Sequence, residues 1–255
     1  MKTRFVIESR QDEISLKHAS ALKNLLVSKG YKEDEVNPEL VFSIGGDGTF
    51  LNAVNKYFEK EPYFIGIKSG HLGFLCEYDA EDIENLVDSI EESQLNEISL
   101  IKLNYGNKEY FALNEFRIES NNGAVIKFDL FINNDFLESY IGDGICFSSS
   151  YGSTGINKSI NGPIVTGDLK ALIITPKANI NNSLYSTLDN SLVLSDKSTI
   201  ILNNFHHQNF NIYYDHAKVA INEEVKEIKI SLSNKKVTIL GNRNYIKNIK
   251  DSFLK

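Results

Sequence analysis

Along the first hundred residues the apolar positions follow two alternating rhythms. Phe5, Val6 and Ile7 make a short strand-like run, after which Ile14, Leu22, Leu25 and Leu26 fall on one face of a helix predicted from Ile14 to Lys29 and stopped by Gly30. The apolar run Leu40 to Ile44 predicts a buried strand. Phe50, Leu51, Val54, Tyr57 and Phe58 then resume helical spacing until Pro62, Tyr63 to Ile67 reads as the next strand, and Ile83, Leu86, Val87 and Ile90 as the next helix. This alternation implies a parallel sheet covered on both faces, with function at the carboxyl ends of its strands.

From about residue 98 the texture changes to strand-length runs: Ile98 to Leu103, Tyr110 to Ile118, Val125 to Ile132, Ile200 to Leu202, Phe210 to Tyr214 and Val225 to Leu232. Turn residues such as Asn121-Asn122-Gly123 and Asn133-Asn134-Asp135 separate them, which predicts an antiparallel β domain. One segment, Gly142 to Gly167, is rich in Gly, Ser and Asn and too long for a hairpin, so it reads as a binding segment. Ile246, Ile249 and Phe253 predict a closing helix. The expected division is residues 1–97 with 243–255 as an α/β phosphate-loop domain and residues 98–242 as a β-rich domain.

Composition narrows the function. Of 255 residues, 27 are Lys or Arg and 34 Asp or Glu, a net charge of −7 that gives no electrostatic case for nucleic acid or an anionic membrane. The apolar runs fall far short of the ~18 residues a membrane helix needs, and Met1 to Glu8 has no signal-peptide layout, so a cytoplasmic protein is expected. Cys76 and Cys146 read as packed residues, and no metal site is expected from them.

The chemistry concentrates where the strand Leu40 to Ile44 ends in Gly45-Gly46-Asp47-Gly48-Thr49. Glycines let backbone N–H groups approach phosphate oxygens, and the helix that follows favours an anion at its N-terminus. The loop lacks the lysine of a Walker loop and the spacing of the dinucleotide fingerprint. Asp47 is its one ionisable group. It is either a helix cap or the acid that orients, and deprotonates, an attacking hydroxyl; a cap needs one small polar residue, not three glycines. Asn114-Glu115, placed in a strand from Phe111 to Phe116, presents side chains to opposite faces, so at least one is expected inward, where it needs a polar partner, unless this is a strand end with both solvated. An amide matches an adenine edge and a carboxylate a ribose diol. Over residues 142–163, Asp143 sits between glycines and Gly152-Ser153-Thr154-Gly155 offers hydroxyls and amides that a nucleotide can approach; the alternative for the whole segment is a plain flexible loop. His206, His207 and His216 lack zinc-site spacing, and Asp215-His216 reads as a turn.

These blocks carry a family resemblance. Gly-Gly-Asp-Gly-Thr at 45–49 is shared by NAD kinases, diacylglycerol-type lipid kinases and, with Ser for Thr, phosphofructokinases. Gly-His-Leu-Gly-Phe-Leu at 70–75, Leu-Asn-Glu at 113–115, Gly-Asp-Gly at 142–144, Gly-Ser-Thr at 152–154 and Gly-Pro-Ile at 162–164 follow in the order of a bacterial NAD kinase, which the chain resembles over most of its length. The resemblance implies an N-terminal α/β domain with a parallel sheet, a C-terminal antiparallel β-sandwich that binds NAD, a C-terminal helix returning to the first domain, and a homodimer or homotetramer. It implies Asp47 as the catalytic acid–base residue at the 2′-hydroxyl of the adenosine ribose of NAD, with Mg²⁺ entering with ATP and no metal ligands of the protein's own. Gly45, Gly46, Gly48 and Thr49 would hold ATP phosphates. Asn114 and Glu115 would bind the adenosine, with Asp47, Gly48, Phe74, Asp143, Thr154, Gly155, Ile156 and Ser159 around the dinucleotide. The Asp215 region would approach a substrate site from a neighbouring subunit.

Two residues depart from the family pattern: Ile156 stands where a stacking Tyr is usual, and Lys68 where Asn or His is usual. A dinucleotide-binding regulator without turnover is the competing reading, and a lipid or sugar kinase the third.

Overall fold

The structure, a computed structural model, describes residues 3–70, 73–242 and 244–254. His71 and Leu72 of the Gly-His-Leu-Gly-Phe-Leu block, and Arg243 and Lys255 of the expected C-terminal segment, lie outside the described residues. The chain divides into two compact units, Met1–Ile98 with Lys236–Lys255, and Ser99–Lys235.

The first unit is the α/β unit that the alternating rhythms predict. Its elements are β1 (Arg4–Ser9), α1 (Glu13–Ser28), β2 (Lys32–Glu33), β3 (Leu40–Gly45), α2 (Asp47–Tyr57), β4 (Tyr63–Lys68), β5 (Tyr78–Asp79) and α3 (Ile83–Ser89). The strands pair in parallel in the order β2-β1-β3-β4, and β4 also takes β5 and the end of the strand Glu227–Leu240 in parallel register. Phe5, Phe42, Ile44, Ile65 and Ile67 share one core cluster with Leu22 and Leu26 of α1 and Leu86 and Val87 of α3. Phe64 faces the other way by strand alternation, and there Phe50 of α2 meets it edge-on at 6.3 Å. The sheet is therefore covered on both faces.

Ile14 does not join the buried stripe expected of α1 and is 59% exposed. One helical step on, Ser15 is buried in that first turn, where its Oγ bonds Ser69 Oγ at 2.8 Å and its N–H donates to the Asp12 cap. The first turn of α1 is thus fixed by polar contacts, and Ile14 is displaced outward. Gly30, at φ +87, ends the helix as expected.

The second unit is mostly β: β6 (Leu95–Tyr105), whose first residues belong to the first unit, β7 (Lys108–Ala112), β8 (Glu115–Ser120), β9 (Ile126–Ile132), β10 (Asp135–Ser149), a short α4 (Ile156–Ser159), β11 (Ala171–Asn179), β12 (Leu192–Ser195), β13 (Thr199–Asn203), β14 (Phe210–Tyr214), β15 (Ala217–Lys218) and β16 (Glu227–Leu240), whose residues from Lys236 belong to the first unit. Its pairings are antiparallel. Asn133 and Asn134, at φ 52 and 71, make the tight turn between β9 and β10 that their sequence predicts. Phe116, Phe128, Tyr140 and Phe147 are fully buried in a single cluster with Leu130, Leu172, Leu202 and Ile230.

Three expectations change here. Tyr110 to Ile118 is not one strand, because β7 ends at Ala112 and β8 begins at Glu115. The segment Gly142 to Gly167 is not all loop, since Gly142 to Ser149 is the buried end of β10. That strand pairs with β9 up to Gly142, then runs between β8 and β11 from Gly144, so Gly142-Asp143-Gly144 is the corner where it changes partners. A Cβ on Gly144 would sit 2.8 Å from the Ile118 carbonyl oxygen, which explains the glycine. Finally, the run Val225 to Leu232 extends to Leu240, because Val237 and Ile239 keep the alternating burial.

Candidate active site

In the first unit the site grows from the end of β3. Gly45 has φ +157, and a Cβ there would collide with the Thr49 side chain, so only glycine lets the strand fold back onto the start of α2. Gly46, which has no side chain to cap with, is the N-cap of α2. Asp47 is its first residue, but its carboxylate is turned away from the capping position. It accepts the backbone N–H of Leu75 at 2.8 Å on one oxygen and that of Phe74 at 3.1 Å on the other. Both bonds run to a remote segment, whereas a capping side chain bonds the first turn of its own helix. The half-buried carboxylate is clamped by charge-assisted hydrogen bonds at the mouth of a helix whose N-terminus faces the glycine loop.

What holds residues 74 and 75 in place was not singled out in the sequence. A Cβ on Gly66 in β4 would lie 2.8 Å from the Leu75 carbonyl oxygen and 2.9 Å from Cys76 Cα, so its absence lets this segment lie flat against the strand. Phe74 is nearly buried, edge-on to Tyr245 at 5.3 Å and stacked on Phe253 at 6.1 Å. The C-terminal helix (Tyr245–Phe253) therefore braces the loop that braces Asp47. Gly48 is exposed, and a Cβ there would meet nothing within 4 Å.

In the second unit Asn114 and Glu115 sit at the break between β7 and β8, and both are buried, at 8% and 3% exposure. The expectation was at least one side chain inward, and the break in the strand allows both. The break is held by Asp215, whose carboxylate accepts the backbone N–H groups of Leu113 at 3.1 Å, Asn114 at 2.8 Å and Glu115 at 3.3 Å. Asp215 lies in the tight turn between β14 and β15 at φ 48 and is 4% exposed. The turn expected from sequence is present, and its acid is engaged inside its own unit.

On the other side of the break, Ser149 Oγ donates to the Leu113 carbonyl at 2.8 Å and accepts the N–H of Gly152 at 3.0 Å. A Cβ on Gly152 would overlap the Asn114 carbonyl group, and one on Gly155 would come 3.3 Å from Glu115 Oε2. Thus the Gly152-Ser153-Thr154-Gly155 turn is pressed onto Asn114-Glu115 and is no flexible loop. Asn157, fully buried, locks it by donating to the Ser153 and Pro163 carbonyls at 3.0 and 2.9 Å. Asn157 and Ser149 escaped the sequence reading, though their signal, small polar residues within a glycine-rich stretch, was present.

Asn114 Oδ1 and Glu115 Oε2 are buried without a hydrogen-bond partner, side by side in sequence. Such atoms are costly unless something meets them. Burial first, and then the charge of Asp215, push the Glu115 carboxyl up to about 8, with Arg117, its Nε 3.8 Å away, opposing. At neutral pH the acid is then protonated and both donates and accepts. Burial also raises Asp215 against its three amide bonds, and burial pushes the Cys146 thiol well up, as fits a packed cysteine.

The remaining expected residues are scattered by degree. Thr154 is half-buried, Ile156 is 36% exposed, and Ser159 is exposed with its Oγ donating to the Gly155 carbonyl at 3.4 Å. Asp143 is exposed at the β10 corner, whereas Glu115 is level with Ser148. Five strand residues, roughly 16 Å, separate the two along β10, so a single chain does not bring Asp143 to the Asn114-Glu115 pair.

An acid clamped within a phosphate-suited glycine loop, in a chain whose β unit buries an unsatisfied amide and acid, defines a nucleotide-handling phosphotransferase. Family models agree: that of the ATP-NAD kinase N-terminal domain matches residues 3–95 and that of the ATP-NAD kinase C-terminal domain residues 113–241. Among curated relatives, an NAD kinase of Geobacillus stearothermophilus is 35% identical over 98% of this chain and 96% of its own length, and NAD kinase 1 of Listeria monocytogenes is 34% identical over 98% and 99%. The chain belongs to the NAD kinase family. The fold is that of solved structures too: a yeast NADH kinase complexed with NADH (TM-score 0.84, 18% identity, 98% of this chain and 86% of that one) and an Archaeoglobus fulgidus NAD kinase in complex with ATP (TM-score 0.79, 22% identity, 96% of each).

Proposed function

We propose that this NAD kinase transfers the γ-phosphoryl group of ATP to the 2′-hydroxyl of the adenosine ribose of NAD, with Asp47 as the acid–base residue at that hydroxyl. The observation that carries the assignment is the Asp47 carboxylate itself, fixed by the Phe74 and Leu75 amides within the glycine loop. A ribose hydroxyl is a poor nucleophile at neutral pH. Asp47 accepts its hydrogen bond and takes its proton as the new oxygen–phosphorus bond forms, while the bond from the γ-phosphorus to the β–γ bridging oxygen breaks and ADP leaves. Gly45, Gly46, Gly48 and Thr49 hold the phosphates by backbone amides at the α2 N-terminus. Mg²⁺ entering with ATP would be held chiefly by the ATP phosphates and would supply positive charge to the transferring group.

Asn114 and Glu115 take the adenosine in this reading: Asn114 Oδ1 and Glu115 Oε2 are the buried acceptors that lack a partner, and an adenine amino group and a ribose hydroxyl are donors that suit them. Thr154, Gly155, Ile156 and Ser159 border the same pair, Phe74 braces Asp47, and Asp143 takes part only as a residue of a neighbouring copy in a homodimer or homotetramer. Location in the cytoplasm, where ATP and NAD are both available, completes the reading; among the described residues no helix is long and apolar enough to cross a membrane.

The test is NADP formation from Mg²⁺-ATP and NAD by the native chain beside Asp47→Asn. NADP from the native chain alone is the expected result; near-native turnover by the variant would remove Asp47 from the chemistry.

A further inference from the structure

Gly30 ends α1 in a left-handed turn, and the next residue, Tyr31, donates its N–H to the Leu26 carbonyl at 3.0 Å. The turn sends the Tyr31 side chain into the core cluster of the first unit, where the residue is only 9% exposed. A phenol buried to that degree ordinarily finds a hydrogen-bond partner. The Tyr31 hydroxyl has none among the described residues.

Tyr31 lines a cavity of about 370 Å³, within the ~300–1,000 Å³ range of small-molecule sites. This cavity opens at the amino ends of β3 and β4, where Leu40 and Tyr63 are register partners. The glycine loop lies at the other end of β3, five residues or roughly 16 Å away. Chemistry on a parallel sheet belongs to the carboxyl ends of its strands, so the phosphotransfer reading does not account for this cavity. Leu40, Ile90 and Leu240, each less than a tenth exposed, form its apolar floor. Leu95, 56% exposed, stands at its rim.

The lining sets the ligand class. Its one charged group is Glu91, which is exposed and in no ion pair among the described residues. Burial first, and then the charge of Glu91, hold the Tyr31 hydroxyl above its usual range, so the phenol keeps its proton with the carboxylate nearby. Lys29, which also acts on Tyr31, is engaged by Asp88. Ser93 Oγ is already bonded to Tyr78 Oη at 2.9 Å. With no cation in the lining, a phosphate or carboxylate ligand is unmatched, which sets the cavity apart from both substrates of the reaction. Its complement is an apolar body with one positive charge. We propose that this cavity is a second ligand site and takes a small aromatic amine, its ring on the Leu40-Ile90-Leu240 floor and its ammonium against Glu91 and the Tyr31 hydroxyl.

The chain contains no tryptophan, so the fluorescence anisotropy of tryptamine reads its binding to the full chain directly. Saturable binding with a Kd of about 1 mM or tighter is expected, unchanged by saturating NAD or Mg²⁺-AMP-PNP. Indole-3-propionate, the same ring with the charge reversed, should bind at least about tenfold more weakly. Glu91→Gln should weaken tryptamine by about tenfold, the scale of a charge-assisted hydrogen bond, and Tyr31→Phe by about two- to fivefold. Leu95→Lys sets a tethered ammonium at the rim and should abolish binding. Glu91 and Leu95 are exposed, so both variants should keep a native melt. Absence of saturable binding to the native chain, equal affinity for the two indoles, displacement by NAD or Mg²⁺-AMP-PNP, or full affinity in both Glu91→Gln and Leu95→Lys overturns the site. None of these outcomes touches the phosphotransfer reading, which NADP formation tests separately.

Discussion

Asp47 and Asp215 solve the same local problem in the two units. Each carboxylate gathers backbone N–H groups of a remote segment, Phe74 and Leu75 for Asp47, Leu113 to Glu115 for Asp215. They differ in access. Asp47 is half-buried at the mouth of a glycine loop, whereas Asp215 is 4% exposed with three amides on its two oxygens. The first can meet a substrate hydroxyl; the second can act only through the segment it holds. An acid bound to backbone amides is therefore not marked as catalytic by that fact, and access with loop chemistry decides.

The comparison predicts opposite phenotypes. Asp47→Asn should lower kcat by about 10² to 10⁴, because the amide keeps the shape but cannot take the proton, while the melting temperature stays near native. Steady-state kinetics beside a thermal melt separate the two quantities. A variant that loses activity only in proportion to folded protein would make Asp47 another Asp215.

Asp215→Ala should do the reverse and cost about 3 kcal/mol in urea denaturation, since it strands buried backbone donors. Asp215→Asn, which keeps one acceptor, should cost clearly less. In the surviving folded fraction the KM for NAD should rise with little change in kcat, because the Asn114-Glu115 break is loosened and Asp47 is untouched. A fall in kcat at unchanged KM would contradict the division.

How much of this was legible in the chain follows from the same contrast. Asp47 stands between glycines at the end of an apolar run, so local sequence announces it, and the parallel unit follows from rhythms that alternate in one stretch. Asp215 lies about a hundred residues from the amides it binds, and Asp-His after a strand carries no mark of its partner. Gly66 looks like any glycine in a strand until the backbone of Leu75 and Cys76 is seen resting on it. The Gly-Asp-Gly corner misled in the other direction: its glycines suggested a loop, yet they serve close approach between strands, since a strand changing partners needs small residues as much as a ligand site does.

Glu115 sharpens the contrast through pH. Its carboxyl, pushed up to about 8 in the folded chain, titrates near 4.3 once unfolded. Between those values the folded state holds a proton that the unfolded state has released, so this group makes stability fall as pH rises from about 4.3 through 8. Glu115→Gln removes that slope. Its melting temperature relative to native should be nearly level at pH 5 and most improved near pH 9, and a difference that stays constant across that range would show that Glu115 is not held protonated.

The smallest effect tests the departure at Ile156. A side chain 36% exposed beside Gly155, which itself abuts Glu115, borders the proposed adenosine pocket without a stacking face. Ile156→Tyr supplies one. Aromatic stacking is worth about 0.5–1.5 kcal/mol beyond area, so the KM for NAD should fall by about two- to tenfold, while the KM for ATP stays put. Equal shifts in both constants would mean that residue 156 acts on the enzyme as a whole and not on the adenosine of NAD.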